Sequence, residues 1–132
     1  MFYLCLILNL CIARKIANHP YLLFWDEAEQ HLLLDMSTEE GQQVQGKDDL
    51  IDMIYQDRDK SGKLKILESM LDDWFSVAKD RSKVLIFSQT KILLDVISKV
   101  MRVKGMKFKR IDGETNVSKR MNIIDDFSTD ED

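Results

Sequence analysis

The sequence is short of the residues that build several special classes of protein. It has one proline and five glycines in 132 residues, which excludes a collagen-like or linker-type chain. Its two cysteines, Cys5 and Cys11, are too few for a disulfide framework and have no metal-ligand spacing, so we interpret them as buried free thiols. No nucleophile and base stand at a recognisable spacing. The sequence therefore predicts no catalytic residue of its own and no metal site.

A long apolar run opens the sequence, but it differs from a signal peptide. No basic residue precedes residues 1–12, no small-residue cleavage site follows them, and the run is too short to span a bilayer. We predict a buried helix over residues 3–17, ended before Pro20 because a proline pushes the preceding residue out of the helical region. A secretory or membrane segment is the alternative. We expect no membrane partner.

Charge is distributed unevenly along the chain, which has a formal net charge of −4. Residues 26–59 carry eleven acids and only two cations, whereas residues 60–110 carry thirteen Lys or Arg and five acids. Six cations and no acid lie in residues 99–110. A polyanion responds to the local field, so the basic half is compatible with nucleic-acid binding despite the net charge. An ordinary solvated surface is the alternative.

The acidic stretch predicts a mobile linker over residues 26–60, with one short helix near residues 49–55. Ser61 is a residue type that caps helix N-termini, so order is expected to return there. An apolar stripe at helical spacing follows: Leu64, Leu67, Leu71 and Trp74. The pattern therefore predicts an amphipathic helix that begins after Ser61.

Strand and helix patterns alternate in the second half of the chain. The nearly all-apolar residues 83–87 are typical of a strand buried on both faces, and residues 107–111 alternate as a second strand would. An apolar stripe at helical spacing lies between them: Leu93, Val96, Ile97, Val100 and Met101. Gly105 follows at the position of a helix C-cap. A third helical stripe follows, Val117, Met121 and Ile124, and Phe127 lies at the end of that helix. This order predicts an α/β fold with a short parallel sheet.

Each predicted strand is followed by a polar corner that opens a helix. The first corner holds Ser88, Gln89, Thr90 and Lys91, and the second holds Asp112, Gly113, Glu114 and Thr115, with Lys119 and Arg120 beyond it. The carboxyl ends of parallel strands meet at one edge of a sheet, where helix N-termini offer free amides to phosphate. The pattern predicts two neighbouring corners that track successive phosphates of one strand. Plain N-capping by Ser88 and Thr115 is the alternative.

Four separated blocks of the chain together resemble SWI/SNF-type ATPases of helicase superfamily two. Residues 13–22, which contain Asn18-His19-Pro20, look like the block between the two motor lobes of that family. Residues 61–64, after an acidic spacer, look like its serine-glycine-lysine block. Residues 84–90 resemble motif IV, and residues 111–127 resemble the aspartate-glycine-threonine and arginine block that follows it. The order and spacing of the blocks over about residues 12–127 carry the resemblance.

Within the family, the run from Asp112 to Val117 and the Phe-Ser-Gln-Thr form of motif IV are most similar to the Cockayne syndrome group B class of transcription-coupled repair ATPases. Recombination-type and nucleosome-remodelling members are close competitors. The resemblance implies an inter-lobe helical segment at 1–25, the acidic linker at 26–60, and the N-terminal half of a truncated second RecA-like lobe at 61–132. The expected fold is thus a partial RecA-like lobe preceded by a helix and a linker.

The resemblance also implies a function, namely ATP-driven translocation on double-stranded DNA in repair or chromatin remodelling. The implied partners are DNA, in chromatin or at a stalled transcription complex, and the missing first lobe, in the nucleus. ATP and Mg would bind to the intact parent motor. The phosphate loop, its metal-binding acid pair and motifs V and VI are not found in the sequence, so we expect the chain alone to be inactive and to bind no cofactor.

Carried over position by position, the family's DNA-facing blocks fall on seven residues: Ser88, Gln89, Thr90, Asp112, Gly113, Thr115 and Arg120. Lys91, a cation in the first turn of the predicted helix, completes the candidate set. Glu114 departs from the small or hydroxylated residue that the family has there, and an acid would repel phosphate. Two other interpretations remain open: a remnant lobe that binds DNA or protein without turnover, and an unrelated small α/β domain.

Overall fold

The structure is a computed structural model that describes residues 2–26, 31–32, 46–76 and 83–129. The chain divides into two compact units, Met1–Asp72 and Asp73–Asp132.

The first unit opens with helix α1, Phe2–Asn18. His19 is extended, with φ −166° and ψ 134°, and a 3-10 helix, Pro20–Phe24, follows it. The short strands β1 (Trp25–Asp26) and β2 (His31–Leu32) then pair antiparallel, with Trp25 opposite Leu32. The predicted helix and its end before Pro20 are confirmed.

The prediction that α1 is buried is wrong for the part whose side chains are described. Leu10, Ile12 and Ile16 are between 46% and 58% exposed, and Cys11 is an exposed free thiol. The helix packs against the 3-10 helix that follows it. The apolar residues Leu10, Ile12 and Ile16 are therefore largely exposed, contrary to the prediction.

Helix α2, Lys47–Gln56, confirms the predicted short helix near residues 49–55. Asp48 and Asp49 lie in its first turn, where negative charge favours the helix dipole. Leu50 and Ile54 are fully buried, so residues 46–60 are ordered although the sequence assigned them to the linker. Residues 27–30 and 33–45 of that linker lie outside the described residues.

A second 3-10 helix, Arg58–Lys60, leads into helix α3, Gly62–Ser76. The predicted cap is confirmed, since Ser61 Oγ accepts a hydrogen bond from the Leu64 amide at 3.2 Å. Leu64 and Leu71 are buried, but Trp74 is 43% exposed. Ten residues beyond Leu64 the helix has turned to about 80° from the buried line, so Trp74 leaves the predicted stripe.

The core of the first unit draws on residues from both sides of the acidic stretch. Its buried apolar side chains are Tyr21, Leu22, Trp25, Leu50, Ile51, Ile54, Leu64 and Leu71. Segments far apart in sequence therefore share one hydrophobic core.

In the second unit, helix α4, Lys91–Val103, is strongly amphipathic and buries Ile92, Leu93, Val96, Ile97 and Val100. Its C-terminal end is confirmed at the predicted glycine: Gly105 has φ +68°, in the left-handed region. The Met106 amide donates to the Met101 carbonyl at 2.9 Å, and the Gly105 amide to the Arg102 carbonyl at 3.1 Å. These two bonds form a Schellman motif.

The predicted parallel sheet is absent among the described residues. Residues 83–88 and 106–112 belong to no hydrogen-bonded ladder there. Val84 and Ile86 are half-buried, whereas Leu85 and Phe87 are 68% and 89% exposed, so the prediction of a strand buried on both faces is wrong. Two strands alone are marginal as a sheet, and a covered second face requires further elements.

Helix α5, Val117–Thr129, confirms the third predicted helix, but its predicted stripe is not buried. Val117, Met121 and Ile124 are 75%, 61% and 45% exposed. The half-buried positions are instead Arg120, Ile123 and Phe127, another line at helical spacing. Packing therefore covers the side of α5 that carries Ile123 and Phe127, and not the stripe that periodicity predicted.

Candidate nucleic-acid interface

The first corner, residues 88–91, is shaped by a local turn. Ser88 Oγ accepts a hydrogen bond from the Thr90 amide at 3.2 Å and donates to the Thr90 carbonyl at 3.1 Å. Thr90 occupies the N-cap position of α4, yet no side chain caps that helix. Its hydroxyl is buried without a hydrogen-bond partner in the described structure, and Gln89 is exposed. Ser88 is therefore a turn residue, and the capping alternative is wrong for it.

The second corner, residues 112–116, is a tight turn held by Asp112 and Thr115. The Asp112 amide donates to Thr115 Oγ1 at 3.0 Å, and the Glu114 amide donates to Asp112 Oδ1 at 3.0 Å. Helix α5 is capped by Asn116, whose Oδ1 accepts from the Ser118 amide at 3.0 Å. The capping alternative is thus wrong for Thr115 as well.

Two arginines fix this second corner from opposite sides of the sequence. Arg120 donates from Nε to the Thr115 carbonyl at 3.1 Å and from Nη2 to the Asp112 carbonyl at 3.3 Å. Arg110 donates from Nε to Asp112 Oδ2 at 2.9 Å and from Nη1 to Asp95 Oδ1 at 2.6 Å. The polar groups of Asp112, Thr115 and Arg120 therefore serve first to shape the turn.

The ionisation of Asp112 follows from these contacts. Desolvation acts to raise the pKa of its carboxyl, but the hydrogen bond from the Glu114 amide and the Arg110 guanidinium outweigh it and hold the pKa below the ordinary value. For Arg110, desolvation opposes the charged form, and Asp95 and Asp112 together raise its pKa. The carboxylate and guanidinium are therefore both charged at neutral pH.

An ion pair joins the two corners. Lys91, in the first turn of α4, pairs its ammonium with the Glu114 carboxylate, and the two side chains are 32% and 78% exposed. The contact brings together the corners that the sequence predicted to be neighbours. It also places a carboxylate on the cation that was expected to receive phosphate.

The basic run at residues 99–110 is partly neutralised within the unit. Arg110 is engaged by two carboxylates, and Lys109 pairs with Asp126 at 3.3 Å. The Arg102 guanidinium lies 5.9 Å from the centre of the Phe108 ring. The count of cations in the sequence thus overstates the positive surface available to a polyanion.

The matching protein family is the helicase conserved C-terminal domain, and its model covers residues 62–132. The chain belongs to this family. Membership implies the RecA-like fold, of which the described residues show the helices but no parallel ladder.

Curated relatives place this helicase C-terminal segment among SWI/SNF-type proteins, close to the CSB class. The whole chain is 31% identical over 121 residues to the DNA excision repair protein CSB of Oryza sativa subsp. japonica, covering 91% of this chain and 8% of that protein. It is 30% identical over 122 residues to the human DNA excision repair protein ERCC-6, covering 92% and 7%.

A relative named as a regulator of chromatin matches a shorter stretch. The chain is 40% identical over 72 residues to the SWI/SNF-related matrix-associated actin-dependent regulator of chromatin subfamily A containing DEAD/H box 1 of Xenopus tropicalis, covering 54% of this chain and 7% of that protein. The helicase segment thus spans less than a tenth of the length of these three relatives. No solved structure matches it significantly.

Sequence reasoning missed a polar cluster in the first unit, which we call the His19 cluster: Asn18, His19, Tyr21, Asp57, Lys60, Ser61 and Lys63. Ser61 Oγ, which also caps α3, donates to the Asn18 carbonyl. Lys63 Nζ donates to Asn18 Oδ1 at 3.0 Å. The sequence did contain a sign of this cluster, because residues 13–22 and 61–64, which it joins, both resemble blocks of the SWI/SNF family and lie at either end of the acidic stretch.

At the centre of the His19 cluster, the fully buried imidazole bonds on both sides. Its Nδ1 accepts from the Tyr21 amide at 3.2 Å, and its Nε2 lies 3.1 Å from the Asp57 carbonyl. Tyr21 Oη donates to Asp57 Oδ2 at 2.6 Å and accepts from Lys60, which also pairs with Asp57 at 2.8 Å. The ring is therefore neutral, with its proton on Nε2.

Desolvation is the main cause that lowers the pKa of His19, although the Asp57 carbonyl opposes it. The hydrogen bonds from Lys60 and Tyr21 lower the pKa of Asp57, and the bond to Asp57 raises that of Lys60. Among the described residues, no three His, Cys, Asp or Glu side chains are grouped to hold a metal ion. None of the described helices combines the length and apolarity needed to cross a bilayer.

Proposed function

We propose that this chain is part of a SWI/SNF-type DNA-dependent ATPase and translocase in DNA repair or chromatin remodelling, and that its two corners contact the DNA backbone. The observation that carries the proposal is the ion pair between Lys91 and Glu114, because it brings the two motif-bearing turns to one place. Relatives named for excision repair and for chromatin regulation support the assignment.

The first corner offers phosphate a set of unused donors. The N-cap residue Thr90 makes no side-chain cap bond, so it leaves the first amides of α4 and the positive end of the helix dipole uncapped. Gln89 is exposed, and Lys91 adds a cation in the same turn. Free amides at a helix N-terminus beside a cation form a favourable environment for a phosphate group.

Gly113 in the second corner supports close approach of a ligand. Its φ is not in the left-handed region, and a Cβ built there meets no atom within 4 Å. Neither the backbone conformation of Gly113 nor packing against the described residues requires glycine at this exposed position. A bare backbone there would let a sugar-phosphate chain come close, which is a recurrent use of glycine.

The eight candidate residues then divide by role. Ser88, Asp112, Thr115 and Arg120 shape the corners through internal hydrogen bonds, and the buried Thr90 begins α4. Gln89, Lys91 and the backbone at Gly113 are the exposed contacts. Corners fixed in advance in this way reduce the ordering cost of binding.

The remaining features of the parent protein stay proposals. We assign residues 1–25 to an inter-lobe segment, 26–60 to a linker whose residues 46–60 are folded, and 61–132 to half of the second lobe, in a nuclear protein. We assign ATP and Mg to the parent motor. The role of this chain is to hold DNA while the missing first lobe supplies the nucleotide chemistry.

The test is binding of a fluorescent DNA duplex by the chain, measured by anisotropy at several salt concentrations. Affinity should fall as salt rises, with a slope of about −0.9 per phosphate contacted. Gly113→Ala should weaken binding several-fold without loss of folding stability. Gly62→Ala, another site with no atom near an added Cβ, is the matched control and should leave affinity unchanged. Absence of salt-dependent binding by the unaltered chain would overturn the proposal.

A further inference from the structure

Glu114 is the acid that separates this second corner from a simple phosphate-binding turn. We propose that its carboxylate occupies, in the free protein, the place at Lys91 that a DNA phosphate takes in the complex, so that Glu114 limits DNA affinity. The inference rests on the proposed function, since it concerns the same two corners.

The geometry holds the Glu114 backbone while its side chain reaches outward. Its amide donates to Asp112 Oδ1 at 3.0 Å, within the turn that Arg110 and Arg120 fix. Its side chain is 78% exposed and ends on the Lys91 ammonium. The backbone of Glu114 is therefore held in the second corner, while its carboxylate contacts Lys91 in the first corner.

The environment at Lys91 favours any anion, whether carboxylate or phosphate. Lys91 lies in the first turn of α4, where the helix dipole is positive and no side chain caps the amides. Carboxylate and phosphate oxygens accept the same charge-assisted hydrogen bonds from an ammonium group. An internal carboxylate in this position is thus a direct competitor for the cation.

We expect a DNA phosphate to displace the Glu114 carboxylate from Lys91. An exposed ion pair is weak, equivalent to about a fivefold change in an equilibrium constant at most. A phosphate chain that also contacts Gln89 and the α4 amides gains more than this, so it displaces the carboxylate. Glu114 therefore reduces affinity through its contact with Lys91, without abolishing binding.

The experiment compares Glu114→Gln with the unaltered chain in the duplex-binding assay. Affinity should rise about three- to fivefold at low salt, and the slope of log K against log salt should steepen by about one phosphate contact. In the Lys91→Gln background, the same Glu114→Gln change should give little or no gain. Circular dichroism checks that each variant is folded.

The matched control is Asp125→Asn, which changes charge by the same amount in the same unit. Asp125 is exposed on α5, eight residues or about 12 Å along the helix from Val117. Equal gains from both variants would show a general charge effect and overturn the inference. Salt-dependent binding that Glu114→Gln leaves unchanged would overturn it while the proposed function stands. Absence of binding by every variant would overturn both.

Discussion

The Nε2 atom of His19 lies 3.1 Å from the Asp57 carbonyl oxygen, a contact between residues 38 positions apart. The other ring nitrogen accepts a hydrogen bond from the Tyr21 amide, so the neutral imidazole satisfies both neighbours. A protonated ring would be a donor on both sides and would lose the Tyr21 bond. The first unit is therefore coupled to the protonation of one buried histidine.

We expect stability to fall as pH drops below 6.5, the ordinary pKa of histidine. Desolvation lowers the pKa of His19, so the folded state takes up fewer protons than the unfolded chain in that window and loses stability. Between pH 6.5 and 5.5 the loss is at most about 1 kcal/mol. Urea unfolding at each pH measures it.

His19→Gln is the control for this pH effect, because a neutral amide cannot titrate there. Its free energy of unfolding should not fall over the same interval, although it starts lower. The lowered pKa of Asp57 acts in a separate window, since its stabilisation is lost only as pH falls below 3.8. An equal decline in both proteins above pH 5 would show that His19 is not the group responsible.

Ser61→Ala should destabilise the first unit by about 1 to 2 kcal/mol. The change removes the cap on the Leu64 amide and the hydrogen bond to the Asn18 carbonyl, both at a buried position. Unfolding can be followed by the fluorescence of the buried Trp25 in a Trp74→Phe background. Ser76→Ala removes an exposed hydroxyl and should cost far less; equal effects would contradict the account.

Arg110→Met should destabilise the second unit by about 2 kcal/mol, because it leaves the Asp95 and Asp112 carboxylates without their shared guanidinium. The pKa of Asp112 should rise in this variant, since Arg110 is one of the groups that lower it. Side-chain carboxyl titration by NMR measures the shift. Lys107→Met, at an exposed cation, is the control, and an unmoved Asp112 would refute the expectation.

In an intact parent motor, Arg120→Glu should lower DNA-stimulated ATPase activity more than basal activity. Arg120 holds the Thr115 and Asp112 carbonyls, so its loss loosens the second corner without touching nucleotide chemistry. Lys119→Glu makes the same charge change on the neighbouring exposed residue. The expectation fails if both activities drop in equal proportion, or if the two variants behave alike.

Local features of the fold were predictable because their causes lie within a few residues. Ser61 and Gly105 mark helix ends through capping and left-handed backbone, and the α4 stripe is read from periodicity. Which face of a helix is buried depends on tertiary packing, which the sequence pattern does not show. Nothing in the spacing on α5 says that Phe127 rather than Met121 turns inward.

The candidate site was predictable in its location but not in its bonding. Strand and helix patterns pointed to the two corners, and the Lys91–Glu114 pair joins them. The partners of Thr115 and Arg120 depend on the three-dimensional turn, so the sequence could not show that these groups bond inward. The His19–Asp57 contact joins residues on either side of the acidic stretch, and the spacing of apolar residues cannot predict contacts between segments so far apart in sequence.

Phe87 and Leu85 present 89% and 68% of their surface to water, beside backbone that pairs with no other described segment. Such an edge is a template on which a second molecule can add its own strand. We therefore expect the isolated chain to aggregate at the concentrations that crystallisation requires. A solubilising fusion, or co-expression with the neighbouring part of the parent, is the practical route to a tractable sample.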